Sequence, residues 1–198
     1  MSASGKLIII SGPSGSGKST VVQHLLAQTE LPMVLSVSAT TRPPRNGEEN
    51  GRDYIFLSDQ EFQARRLAGE FLECKEVFGR GYWYGTLRNV VSTGLNAGKW
   101  VLLEIDVQGA LAVLQGHPQA VTIFVHPGSM AELEKRLRNR GTESEEAIQR
   151  RLDVAAEELV LRHHYTHEVI NTEISSTVKQ LCKLLLQYQG EKVPCSKN

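Results

Sequence analysis

Apolar positions along the chain come in two patterns, short unbroken runs and helical spacings, and the two alternate. Lys6 to Ile10 is a β-branched apolar run that predicts a buried strand, and Gly12, Gly15 and Gly17 follow it in a glycine-rich turn. Val21, Val22, Leu25 and Leu26 then recur at helical spacing and stop before Leu31-Pro32. Met33 to Ser38 reads as a further short strand. The next stretch, SATTRPPRNGEENGRDY, carries two prolines, Asn46-Gly47 and Gly51, and breaks the strand–helix rhythm. Asp53 to Leu57 returns to strand, Ser58 and Glu61 form a capping box for a helix ending near Gly69, and Phe71 to Phe78 is strand-like again. Residues 38 to about 90 are therefore expected to form a β-rich insertion.

The rhythm resumes with KWVLLEID, Lys99 to Asp106, a nearly continuous apolar run of the kind found in parallel strands covered on both faces. Asp106 ends that strand, where α/β sheets bind ligands, and Glu104 two residues earlier is expected on the same side. Ala120 to Val125 predicts another buried strand. Ser129 with Glu132 caps a helix reaching Arg140, Gly141 stops it, and Thr142 with Glu145 opens a second helix running to about Leu161. This arginine-rich pair of polar helices is a second insertion. A last strand near Glu168 to Asn171 precedes a helix that places Val178, Leu181, Cys182 and Leu185 on one face, and 191–198 reads as a frayed tail. His163, His164 and His167 read as a helix end without a ligand set for zinc.

The glycine turn changes the picture from fold to chemistry. Gly12 to Ser19 fits GxxxxGK[ST], placed after a strand and before a helix, the context that pattern requires. Glycines let backbone N–H groups turn inward around an anion, and the helix N-terminus behind them adds donors and a favourable dipole. Lys18 can reach the β- and γ-phosphates of a nucleotide, and the Ser19 hydroxyl can ligate Mg²⁺. Taken alone, the motif permits many phosphate-transfer reactions.

Composition narrows the partners. The 198 residues carry 22 basic and 22 acidic side chains, so no broad cationic face for nucleic acid or an anionic membrane is expected. Apolar residues at 40 % fit an ordinary soluble domain with one core. Cys74, Cys182 and Cys195 are odd in number and widely spaced, which predicts free thiols in a reducing cytosol. With no signal-length or membrane-length apolar stretch, a cytoplasmic location is expected.

Arg42 and Arg45 flank the stiffening prolines, with Tyr54 twelve residues after Arg42, and such a cluster can hold a second phosphate through guanidinium contacts. From Lys6 to about Tyr188 the chain resembles the guanylate kinases. The resemblance rests on GPSGSGKST, SATTRPPRNGEENGRDYIF, FLE at Phe71 to Glu73, YGT at Tyr84 to Thr86, LEIDVQG at Leu103 to Gly109, and RLRNRGTESEEAIQRRL at Arg136 to Leu152. It implies an α/β fold: a P-loop three-layer core around a parallel sheet (1–37, 91–128, 162–190), a β-rich GMP-binding insertion (38–90) and a helical lid (129–161).

The implied activity is transfer of a phosphoryl group from ATP, with Mg²⁺, to GMP and to dGMP. ATP would be held by the loop residues Gly12, Pro13, Ser14, Gly15, Ser16, Gly17, Lys18, Ser19 and Thr20, with Asn171 near the adenine. For GMP, the resemblance implies that Arg42, Arg45, Tyr54 and Tyr84 hold the phosphate. Ser38, Glu73, Thr86 and Asp106 would read the base, with Glu48 part of the same site. Guanine presents N1–H and N2–H₂ as adjacent donors, which two carboxylates can accept, whereas adenine would leave a buried charge unpaired. Glu104 resembles an acidic position near the metal through water.

Arg136 and Arg140 lie four apart on one helix and Arg151 on the next, and as lid arginines they would stabilise charge on the transferring group. Together with Lys18 and Arg42 they form the implied catalytic set. Arg138 reads instead as a solvated partner of Glu134. Two departures stand out: CKEVFGRGYWY is about two residues longer than the family's usual segment, which leaves the roles of Tyr82 and Trp83 open, and THEVINTEI replaces a segment usually richer in aspartate. The competing expectation is a catalytically silent, protein-binding module of the same family. Intact Lys18 and the lid arginines weigh against it.

Overall fold

The computed structural model describes residues 5–77, 81–139 and 144–189. Strand β1 (Lys6–Ser11) lies at the centre of a five-stranded, all-parallel sheet of order β2-β7-β1-β8-β9. Its partners are β2 (Met33–Leu35), β7 (Trp100–Glu104), β8 (Val121–His126) and β9 (His167–Ile170). Every residue of β1 is buried, and its side chains alternate: Ile8 and Ile10 enter one core cluster, Leu7 and Ile9 the other. On the first face pack α1 (Lys18–Gln28) and α7 (Ile174–Leu186), through Val21, Val22, Leu25, Val178, Leu181 and Leu185. The opposite face is covered by α3 (Arg88–Asn96) and α4 (Val107–Gly116), through Val91, Val107, Ala110 and Val113. Because β7 and β8 flank β1 on opposite sides, the loop after β1 opens at the point where the strand order reverses, the place where such sheets bind ligands.

A second sheet, of order β4-β3-β6-β5, is built from β3 (Ala39–Thr40), β4 (Ile55–Phe56), β5 (Phe71–Val77) and β6 (Tyr82–Leu87). Helix α2 (Asp59–Leu67) covers it, with the full capping box at Ser58 and Glu61, and Phe62 stacks on Phe71 at 4.4 Å. Trp83 packs beside Phe62 and under Arg66, so it belongs to this small core. Helices α5 (Met130–Arg138) and α6 (Glu145–Val160) share a separate cluster of Leu133, Leu137, Ile148, Leu152 and Ala155. Arg138 bonds Glu134 and forks onto both oxygens of Glu145, tying the two helices on their solvent side.

Several expectations are corrected. The helices α3 and α4 were not anticipated, because their sequences carry residues chosen for close approach. In α3, a Cβ on Gly94 would lie 2.6 Å from Val101 Cγ2, so glycine lets the helix sit directly on β7. The strand β7 stops at Glu104, so Asp106 is not its last residue; it is the N-cap of α4, with its carboxylate accepting from Gly109 N–H at 2.8 Å. Ser144 caps α6 in the role expected of Thr142. His167 is in β9, bonded to Tyr188, while His163 and His164 end α6 in a 3₁₀ turn. The expectations for Phe78, Arg140, Gly141, Thr142, Cys195 and the 191–198 tail lie outside the described residues. Cys74 and Cys182 are free thiols. No helix among the described residues is long and apolar enough to cross a membrane.

Candidate active site

The glycine loop runs from Gly12 into α1 with Gly12, Gly15 and Gly17 all at positive φ. At Gly12 (φ 136°) a Cβ would meet the Val125 carbonyl at 2.1 Å, so no other residue fits there. Gly17 (φ 86°) is the N-cap of α1 and has no capping side chain, which leaves the first N–H groups of the helix to a ligand. Lys18 folds back over the loop, its Nζ donating to the Gly12 and Pro13 carbonyls at 2.6 and 2.9 Å. Burial pulls its pKa down, and the charges of Glu104, Glu158 and Asp106 oppose that. Ser14 and Thr20 are exposed, as is Ser19, whose hydroxyl donates to Glu104 Oε1 at 2.5 Å.

The arginine helices close on this loop from above. Arg151 donates to Ser14 Oγ at 2.6 Å. Arg136 bonds Glu132 through Nε and the Asn171 carbonyl at 2.8 Å through Nη2, with Nη1 near the Ser16 carbonyl at 3.5 Å. Leu133 and Leu137 press against Gly15, where a Cβ would lie 2.8 Å from Leu137 Cδ2. Asn171, expected near the adenine, lies beneath the loop. It is buried, its amide donates to the Ser16 carbonyl at 2.8 Å, and its oxygen accepts from Thr177 at 3.0 Å. Both ends of the side chain are used inside the protein, so Asn171 braces the loop from below.

On the small sheet, Arg42 is buried, and its guanidinium donates to Tyr84 Oη at 3.2 Å, to the Pro43 carbonyl at 2.7 Å and to Glu48 at 2.8 Å. The guanidinium carbon also lies 5.4 Å from the Tyr54 ring, and Tyr54 meets Tyr84 edge to face at 5.8 Å. Burial raises the Tyr54 hydroxyl pKa, with Tyr84 and then Glu104 adding to the shift and Arg42 opposing it. Glu48 accepts from Arg42 and, through its other oxygen, from the Arg45 N–H at 2.7 Å. It organises the loop that carries the two arginines. Arg45 is exposed, and Ser38 is half-buried with its carbonyl accepting from Ile55 N–H.

The two acids expected to read a base converge on Gly109. A Cβ there would lie 3.1 Å from Glu73 Oε2 and 3.5 Å from Asp106 Oδ1, so glycine keeps α4 thin where the carboxylates meet. Buried Thr86 donates to Glu73 Oε1 at 2.7 Å. Desolvation raises the Glu73 pKa; the Thr86 bond opposes it and the charge of Asp106 adds to it.

Two residues that sequence reasoning missed join the site. Lys75 pairs with Asp106, Nζ to Oδ2 at 2.5 Å. Glu158 of α6 lines the same cleft, and desolvation pushes its pKa up to about 7 although Lys18 pulls it down. Both left a faint signal: Lys75 is two residues from Glu73 on a strand, and Arg151, Val154 and Glu158 follow the i, i+3, i+7 spacing of one helix face. Gly12, Ser14, Lys18, Lys75, Asp106 and Glu158 all border one cleft of about 300 Å³. The glycine loop and Asp106 thus open onto a common space.

Comparison with known proteins gives a consistent result. The sequence profile described as Guanylate kinase matches residues 4–188. The guanylate kinase of Rhodopirellula baltica is 59 % identical over 195 residues, 98 % of this chain and 93 % of that protein. That of Desulfitobacterium hafniense is 50 % identical over 183 residues, 92 % and 90 % of the two chains. The crystal structure of guanylate kinase from Anaplasma phagocytophilum superposes with a TM-score of 0.76 at 33 % identity, covering 96 % of this chain and 89 % of that one.

Proposed function

Because the chain belongs to the guanylate kinase family, we propose that it transfers the γ-phosphoryl group of ATP to GMP, and to dGMP, giving ADP and GDP or dGDP. The observation that carries this reading is the shared cleft, bordered by Lys18 of the phosphate loop and by Asp106 beside Glu73. An oxygen of the GMP phosphate attacks the γ-phosphorus, and the bond from that phosphorus to the β,γ-bridging oxygen breaks, its electron pair leaving on ADP. The attacking oxygen is already ionised, so no general base is required, and positioning with charge stabilisation carries the step.

The loop N–H groups and Lys18 hold the β- and γ-phosphates, Lys18 exchanging two carbonyl partners for phosphate oxygens. Arg42, with Tyr84 and Tyr54 around it, and exposed Arg45 hold the GMP phosphate. Arg42 is pre-oriented by Glu48, which limits the side-chain entropy lost on binding. Arg151 and Arg136 belong to a helical lid over the loop, where they replace water and counter charge on the transferring group. Arg140 has the same role by resemblance to the family. Mg²⁺ fits the adjacent Ser19 hydroxyl and Glu104 carboxylate, a pair of hard oxygens of the sort that accompanies a nucleotide-borne ion. When bound, the ion supplies charge to the phosphate oxygens.

A coupled assay with ATP, Mg²⁺ and each of GMP, dGMP, AMP, CMP and UMP tests the reading. Turnover with GMP and dGMP but not the others is expected. Absence of GMP turnover by a folded, ATP-binding chain would favour the silent binding module instead.

A further inference from the structure

Lys75 lies two residues beyond Glu73 on β5, so the two side chains leave the same face of the strand. Both pair regularly with β6 beyond the bulge between Phe71 and Glu73: Glu73 opposite Thr86, Lys75 opposite Tyr84. The Lys75 ammonium reaches across to the core and meets Asp106 Oδ2 at 2.5 Å, while Gly109 N–H holds Oδ1 at 2.8 Å. Both oxygens of Asp106 are therefore fixed from different directions, one by the start of α4 and one by the small sheet. Glu73 is fixed at one oxygen by Thr86, and its other oxygen turns toward Gly109.

Resting on the kinase reading above, we propose that Lys75 is a positioning residue for guanine selection, whose ammonium clamps the Asp106 carboxylate beside Glu73 so that both acids present acceptors to adjacent N–H donors. The physical need is plain. Two carboxylates meeting at one glycine repel, and a carboxyl that keeps its proton becomes a donor facing a donor. The groups that face Glu73 are Thr86 on β6, Asp106 before α4 and Lys75 on β5; the charge of Asp106 raises its pKa, whereas Thr86 and Lys75 lower it. Lys75 also faces Glu158 on α6 and lowers the pKa there. One cation thus serves three acids around the cleft. Its pair with Asp106 is 35 % exposed on both sides, so it contributes little to global stability and its work is local. A carboxylate oxygen has two lone pairs, so Oδ2 can accept from Lys75 and from a base at once.

The test compares Lys75→Met, Lys75→Arg, Asp106→Asn and Lys75→Met/Asp106→Asn in the full chain. Steady-state kinetics give kcat and the KM for each nucleotide, and calorimetry gives GMP affinity without ATP, both at about pH 6 and pH 8. Losing one charge-assisted contact to the base-reading acid predicts a rise in GMP KM and Kd of about tenfold for Lys75→Met. The ATP KM should stay within about twofold, and the GMP loss should be larger at pH 6, because a Glu73 without its counter-charge protonates at higher pH. Lys75→Arg should recover to within about threefold. At pH 8 in the Asp106→Asn background, Lys75→Met should add less than about twofold, since the clamp acts through Asp106; at pH 6 the direct effect of Lys75 on Glu73 remains.

Unchanged GMP affinity in Lys75→Met would overturn the proposal, and tighter GMP binding would show that Lys75 competes with the base for Asp106. Equal losses for GMP and ATP would mark a general structural role and overturn it too. If the unaltered chain fails to phosphorylate GMP, the kinase reading itself is wrong. If that chain is active and Lys75→Met is silent, only the role of Lys75 falls.

Discussion

Glu73→Gln probes the base pocket with a nearly isosteric change. The carboxylate now gives Oε1 to the Thr86 hydroxyl at 2.7 Å and turns Oε2 toward Gly109 and Asp106. The amide will keep its oxygen on Thr86, because a hydroxyl donor needs an acceptor, and this turns the NH₂ toward the base. A pair of acceptors for guanine becomes one acceptor and one donor, so a donor of the base faces a donor of the protein. An unmatched buried polar contact costs about 1 to 3 kcal/mol, or roughly 5- to 150-fold in affinity. Stability should hardly change, since the variant keeps the Thr86 bond and loses the repulsion from Asp106. Calorimetric titration with GMP, beside ATP titration of the same protein, measures the effect directly. The pH profile supplies a second reading. Desolvation raises the Glu73 pKa, so GMP affinity of the unaltered chain should fall with decreasing pH from a higher starting point than an ordinary carboxylate gives, and Glu73→Gln should flatten that limb. Equal loss of both nucleotides, or an acid limb as large in the variant as in the unaltered chain, would remove Glu73 from the base pocket; the GMP phosphate, with its second pKa of about 6, contributes equally to both.

Lys18→Met keeps the apolar stem and removes the charge that now rests on the Gly12 and Pro13 carbonyls, so phosphoryl transfer should be nearly abolished in a protein that melts like the original. Near-normal turnover would refute the phosphate-loop reading. Asn171→Leu strands the Thr177 hydroxyl, at about 1 to 3 kcal/mol for the buried group, and leaves the Ser16 carbonyl only its long contact with Arg136, so thermal unfolding should fall by several degrees, with ATP KM rising more than GMP KM. An unchanged melting temperature would show that the brace is dispensable. For Glu158, the folded pKa of about 7 lies above the ordinary 4.5, so the folded state holds this proton more tightly. Its contribution to stability is full below about pH 4.5 and is lost as pH rises toward 7. Relative to Glu158→Gln, the unaltered chain should therefore lose melting temperature between about pH 5 and pH 8. A constant difference across that range would place the group in water.

Much of the fold was legible because buried parallel strands and glycine turns are local patterns. The apolar runs of β1, β7 and β8 and the capping box of α2 each follow from a few consecutive residues, and so does the strand–loop–helix of Gly12 to Ser19. The helices α3 and α4 were hidden because their glycines, Gly94 and Gly109, answer to atoms of β7 and of Glu73 that are distant in sequence. The same reason explains Asp106. In the sequence it ends an apolar run, but the backbone turns at Ile105 and makes it a helix cap, a choice fixed by how α4 packs on the sheet.

What the sequence determined by itself was the chemistry on offer: a loop whose glycines and Lys18 suit a phosphate and an arginine–tyrosine cluster able to hold a second one, to which the family resemblance added two acids expected at a donor-bearing base. Only the tertiary structure decided how these side chains spend their bonds. It turned Asn171 inward under the loop, since both amide ends find partners from α7 and the Ser16 carbonyl there. It set Glu48 on Arg42, and it brought Lys75 and Glu158 to the cleft from opposite sides. A side chain's partners lie across space, and sequence spacing reports only its own strand or helix; the electrostatic balance of the site was therefore settled by packing.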